Sequence, residues 1–311
     1  MLGALLATVS AFAFALNMAT ARRGMLTGTP SQAMAISVPL GVVCFLPVVI
    51  LTGEIGRIAA MPARTLYAMA GVGVLHFIVG RYCNYRASLL AGANLSAPVI
   101  QSNVIVTLVL AVAVLHERCS VLQMIGAVLI ITGALIVQRQ GTQSRSAGAT
   151  TLFSPKILAG YAFGALAALA YGTSPIIARY ALAESTPTRG VLGGFVAYIA
   201  ATVVILLAAL WPSVRANIAR MDAVGGRWFL ISGLCVAVAQ GLFFAAVAIT
   251  PIMVVMPLLQ LSLVFLLIIS HWLNPLHEVR GPLLIVGVAV SIIGTLAVSI
   301  ETELIVKTLR A

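Results

Sequence analysis

The sequence predicts an all-α polytopic membrane protein, with ten transmembrane helices arranged as two inverted five-helix repeats. Three observations predict it. First, the 311 residues are 61% hydrophobic and only 8% charged, with a mean hydropathy of +1.13. A soluble domain carries roughly 25% charged residues, and a chain this poor in them has too few to cover a water-facing surface. Second, apolar runs of about 20 residues recur from end to end, each long enough to cross ~30 Å of hydrocarbon as a helix. Third, "LHERCSVLQMIG" from Leu115 returns as "LHEVRGPLLIVG" from Leu276, with Gly126 on Gly287 and Gly133 on Gly294. Nine of the 23 residues from Leu115 to Val137 are identical to their partners.

Apolar length and Gly, Pro or charged breaks divide the chain into spans at 3–20, 33–51, 66–88, 95–115, 121–138, 157–178, 191–211, 228–249, 252–273 and 282–300. The first starts at Met1 with no cation ahead of it, Arg22 and Arg23 coming after. That order is opposite to a cleavable leader and predicts a retained spanning helix. The third span is interrupted by Arg81 and Arg86. The longest hydrophilic stretch, Gln138–Lys156, reads as a linker. The expected organisation is therefore a first repeat over 1–138, a linker over 139–156, a second repeat over 157–300 and a short tail over 301–311.

The repeat extends beyond the opening phrase. Gly80–Gln101 overlays Ala239–Gln260, with Pro98 on Pro257 and Gln101 on Gln260. The first span overlays the sixth, with Phe14 on Tyr171, Asn17 on Ser174 and Arg22 on Arg179. Five crossings per half put the start of the second half on the opposite side of the membrane. The halves are then inverted about an axis in the membrane plane, the usual basis of alternating access around a midplane site.

Charge narrows the function classes. The net charge of +11 comes from 18 Lys and Arg that sit singly or in pairs where apolar runs stop, as at Arg57, Arg118, Arg139 and Arg215. Cations placed so anchor helix ends at headgroups, and the lipid bilayer rather than nucleic acid is the expected partner. Cys44, Cys83, Cys119 and Cys235 are scattered, so neither a zinc site nor a disulfide framework is indicated. All seven acidic residues fall at span ends, in loops or in the tail. No catalytic set lies inside a span, and the expectation is a non-enzyme without metal or cofactor. No nucleotide-binding loop is present, which leaves passive or gradient-driven transport.

At this level the chain resembles the drug/metabolite transporter superfamily in its ten-helix form, built from two EamA-type repeats. The resemblance is carried by Leu115–Gly133 and Leu276–Gly294, each an apolar helix, a Glu at a tight turn and then a Gly-bearing fifth helix. Tyr85–Val99 resembles the family's stretch between its third and fourth helices. Asn103 stands where the family's fourth helix often has a proline. The resemblance implies a secondary transporter of small polar or amphipathic metabolites, amino acids or related organic anions, with export as the expected direction. It also implies both termini in the cytoplasm, and the Ala-rich, short-looped chain suits a bacterial inner membrane. Loop cations split seven against nine with respect to that orientation and do not decide it. A lipid-linked sugar flippase is the alternative transporter, and an intramembrane enzyme the alternative from another class. The sequence leaves the oligomeric state open.

The candidate substrate-binding residues are the polar ones within spans. Arg81 lies inside the third span, and an intramembrane cation faces a cavity or a partner. Asn84, Tyr85 and Ser88 follow at i+3, i+4 and i+7 and share its face. A cation with such neighbours suits a carboxylate or phosphate. Asn17, Gln101, Asn103, Tyr171, Ser174, Gln240 and Gln260 complete the set. They lie on the spans that line the central cavity in the family. Interhelical hydrogen bonding is their plainer role, typically ~0.6 kcal/mol per contact. His76 and His271 lack metal-ligand companions and read as structural. Glu117 and Glu278 are expected to stabilise the N-termini of the fifth and tenth spans.

Overall fold

The computed structural model describes residues 2–25, 27–91, 99–100, 102–117, 120–146, 157–182 and 185–273, with isolated residues between 283 and 297. Among them the regular structure is entirely helical. In hydrocarbon this follows from the backbone, because a helix pairs every N–H and C=O within its own segment. Six helices are long and apolar enough to cross a membrane: Leu2–Ala21, Pro30–Leu51, Ala63–Ala87, Leu158–Leu182, Pro187–Ala208 and Ala223–Ile249. Four shorter apolar helices, Asn103–Leu115, Met124–Gly133, Ile252–Leu266 and Ile285–Gly294, lie where the fourth, fifth, ninth and tenth spans are expected. The chain is thus a multi-pass membrane protein.

In chain order the first helices are α1 (Leu2–Gly24) and α2 (Pro30–Leu51). Pro30 opens α2 with its φ already helical. Thr29 and Gln32 form a reciprocal capping box: the Gln32 amide donates to Thr29 Oγ1 at 3.3 Å, and the Thr29 amide to Gln32 Oε1 at 2.8 Å. Thr29→Ala is expected to cost about 1 kcal/mol, readable as a lower melting temperature in detergent. The third span has three parts: α3 (Ala63–Val72), a π-helical turn over Gly73–Gly80, and α4 (Arg81–Ala91). Gly73 backs onto the Ala197 carbonyl so closely that any side chain would collide with backbone there.

Next come α5 (Asn103–Leu115) and α6 (Val121–Ser146), the latter continuing past 138 into the stretch expected as linker. The second half begins with α7 (Ile157–Leu182) and α8 (Pro187–Ala208). A short α9 (Pro212–Ala219) is absent from the expected spans. Its Asn217 holds α2, accepting from Gln32 Nε2 at 2.7 Å and donating to Thr29 Oγ1 at 3.1 Å. Then comes α10 (Ala223–Ile249), capped by Asp222, whose carboxylate accepts from the Val224 and Gly225 amides. The ninth span is broken into α11 (Ile252–Leu259) and α12 (Leu261–Leu273) at Gln260, three residues after Pro257, which has no N–H to give the ladder. Part of the tenth span, the tail, Glu278, Pro98 and Gln101 lie outside the described residues.

The helices of the two halves interleave. α1 packs on α10, α11 and α12, while α7 packs on α3, α4 and α5. α2 meets α8 and α10, and α8 also meets α3 and the π-turn. Lipid tails are as apolar as leucine, so close van der Waals contact between small residues drives such packing. Ala7, Ala11, Ala15, Ala167, Ala197 and Ala246 are fully or almost fully buried at these seams. At the centre the Phe77 and Tyr198 rings stack at 4.2 Å, with Phe45 tilted onto Tyr198 at 5.1 Å.

Candidate functional site

The π-turn decides the geometry at the centre of the bundle. In an α-helix, residues five apart lie about 140° apart around the axis at 3.6 residues per turn. In an i→i+5 ladder they come close to one turn apart, and such turns concentrate at functional sites. Here the turn carries His76 and ends at Arg81, bringing both side chains to one face, where the Arg81 charge acts directly on His76. Gly80 lies against the Tyr171 ring, so this part of the third span approaches α7 without an intervening side chain.

His76 links three helices. Its Nδ1 is 2.7 Å from Ser174 Oγ on α7, and its Nε2 is 3.1 Å from Gln240 Nε2 on α10. A carboxamide nitrogen only donates, so His76 Nε2 accepts and Nδ1–H donates to Ser174. That is a neutral imidazole held in one tautomer. The Tyr171 ring lies 4.8 Å from it. Gln240 is 1% exposed, yet its Oε1 has no hydrogen-bond partner. Buried polar atoms are almost always paired, and an unpaired one calls for an explanation.

Arg81 is 8% exposed. Its Nη1 donates to Ser37 Oγ on α2 at 2.9 Å, and its guanidinium stands 5.4 Å from the Phe77 ring centre. Tyr85, Tyr171 and the buried Tyr198, whose hydroxyl has no partner of full hydrogen-bond geometry, also feel its charge. Asn84 lies near the Tyr171 hydroxyl. No carboxylate pairs with Arg81 among the described residues: Glu54 meets Arg57 and Thr188, Glu117 meets Arg179, and Asp222 caps α10.

The expected residues therefore divide. Arg81, Asn84, Tyr85, Tyr171, Ser174 and Gln240 gather around one imidazole and one guanidinium. Asn17 accepts at Oδ1 from Ser232 Oγ at 2.7 Å, a link from α1 to α10. Asn103 turns back to donate to the Ile100 carbonyl at 2.8 Å, a bond within its own helix start. Gln260 is buried at the break between α11 and α12, and Gln101 lies outside the described residues. His76, Ser37 and Tyr198 belong to the cluster but were not in the expected set. A histidine five residues before an intramembrane arginine was the available signal, and helical periodicity hid it.

Glu117 does not act on the fifth span as expected. Its Oε1 and Oε2 accept from the amides of Ile252 and Met253 at 3.0 and 3.1 Å, capping α11 of the other half. Arg179 Nε sits 3.6 Å from Glu117 Oε1, while its Nη1 donates to the carbonyls of Val247 and Ala248, which close α10. One ion pair thus ties the α5 end, α7 and the α10–α11 corner together. His116 closes α5 with a left-handed φ of 52°, and the carboxylate that follows it is taken up by the α11 amides and Arg179.

Comparison with known proteins gives a consistent picture. The model of the EamA-like transporter family matches residues 1–139. No curated protein matches the chain. Among solved structures, 28 chains match. One of them, described only as a crystal structure of a protein, shares 14% identity at a TM-score of 0.75, covering 97% of this chain and 98% of its own. At that identity the likeness concerns the fold.

Proposed function

Residues 1–139 belong to the EamA-like transporter family of the drug/metabolite transporter superfamily, and from that premise we propose that this membrane transporter carries small polar metabolites with an acidic group, by alternating access between two inverted five-helix halves. The carrying observation is Arg81: a buried guanidinium in the bundle centre, without a carboxylate partner among the described residues. Leaving such a charge unpaired costs several kcal/mol, a cost a substrate anion would offset on binding. The pairing of helices supports the inverted arrangement. Contacts of α1 with α10 and α12 are matched by those of α7 with α4 and α5, as a two-fold axis in the membrane plane requires. The second repeat then covers 157–300, and the stretch around 139–156 joins the halves. Export from the cytoplasm of a bacterial cell, with both termini inside, is the physiological direction in this reading.

The test uses purified protein in liposomes loaded with a bacterial metabolite extract, with mass spectrometry of what escapes. Selective escape of a few carboxylate- or phosphate-bearing compounds, absent from empty liposomes, is the expected result. Escape confined to lipid-linked sugars in a lipid-flipping assay would favour a flippase instead.

A further inference from the structure

The central cluster has two unsatisfied ends, and they differ in what they ask of a ligand. Arg81 asks for an anion. Gln240 Oε1 is an acceptor, 1% exposed as a residue and unpartnered, while its amide nitrogen is engaged by His76. It asks for a donor. Only a neutral donor fits well, for three reasons. Arg81 acts on His76, so its field reaches the imidazole that Gln240 bonds. The imidazole is the neutral tautomer fixed by Ser174 and Gln240 and brings no compensating negative charge. The described carboxylates Glu54, Glu117 and Asp222 are bound at helix ends. With Arg81 taken up by the substrate's acidic group, an ammonium at Gln240 would be stripped of water with no second carboxylate among the described residues to face it, a far larger cost than burying a hydroxyl.

Resting on the transporter reading above, we infer that the site selects organic anions bearing a neutral hydrogen-bond donor, hydroxy acids over amino acids, with the acidic group on Arg81 and the hydroxyl on Gln240. His76 is the positioning residue: it holds the Gln240 carboxamide with its oxygen turned free.

Two substrate triads isolate this choice, because each keeps one carbon skeleton and changes one group: malate, succinate and aspartate; and 3-phenyllactate, 3-phenylpropionate and phenylalanine. Initial rates into proteoliposomes of the full chain at neutral pH, corrected for empty liposomes, are compared within each triad. The hydroxy member of at least one triad is expected to enter roughly tenfold or more faster than its amino and unsubstituted counterparts, since a site built to bond a hydroxyl rejects analogues lacking it. Gln240→Leu should erase the preference, so that the hydroxy and unsubstituted members enter at equal rates through the same variant. The wild-type comparison stands even if that variant does not fold. An amino member entering as fast as the hydroxy member, or a hydroxy member no faster than the unsubstituted acid, overturns the inference and leaves the transporter reading intact. No entry of any anion through protein that melts cooperatively overturns the anion-transport reading and this inference with it.

Discussion

Arg81→Gln is expected to cripple transport while leaving the fold as stable as before or more so. The lost interaction with a substrate anion is a charge-assisted hydrogen bond, worth about 1.5–3 kcal/mol. That corresponds to a roughly 10- to 150-fold rise in half-saturating concentration at 1.4 kcal/mol per decade. Stability moves the other way because the wild-type guanidinium is buried among neutral groups, Ser37 Oγ, the Phe77 ring and the nearby Tyr198 hydroxyl, with no carboxylate among the described residues. Removing an unpaired buried charge relieves a desolvation penalty that these neutral groups do not cover. Transport kinetics in liposomes and melting in detergent, measured on the same preparation, check both halves. A structural arginine would show the reverse, with a lowered melting temperature and transport unchanged in the surviving protein.

Glu117→Ala is expected to be the most destabilising single change considered, at about 3–5 kcal/mol, because it strips one partner from a largely buried ion pair. Two amides at the start of α11, those of Ile252 and Met253, lose their acceptor at the same time. Arg179 would keep only the Val247 and Ala248 carbonyls. Arg179→Met alone should also destabilise, and the double variant should be less damaged than the sum of the two, with a coupling of roughly 0.5–3 kcal/mol. Melting temperatures of the four proteins complete the cycle. If Glu117 served only the dipole of α6, the loss would be about 0.3–1 kcal/mol and the two changes would add.

The candidate site was only partly legible, and the misses have identifiable physical causes. Arg81, Ser174 and Gln240 stand out in the sequence because a polar group inside an apolar run is costly and conspicuous. His76 is just as polar but reads as structural in the sequence, because its two partners are 98 and 164 residues away in the chain. Helical periodicity also places it on a different face from Arg81. Asn103 looked equally conspicuous, but its amide bonds the Ile100 carbonyl within its own helix start. Glu117 was read as serving the nearest helix, whereas its bonds go to residues 135 and 136 positions further on.

The sequence by itself determined that the chain is helical and crosses the membrane repeatedly. Hydropathy over about 20 residues suffices for that, since each spanning helix pairs its own backbone and needs no neighbour to form. The breaks near Gly53, Ser185 and Pro251 were legible for the same local reason. Only the tertiary structure decided which polar groups meet. The π-turn over Gly73–Gly80 places His76 beside Arg81, and Gly73 against the Ala197 carbonyl lets that turn lie close to α8. Whether a helix takes one extra residue in a turn depends on the packing on both sides of it, and that information lies in helices far away along the chain.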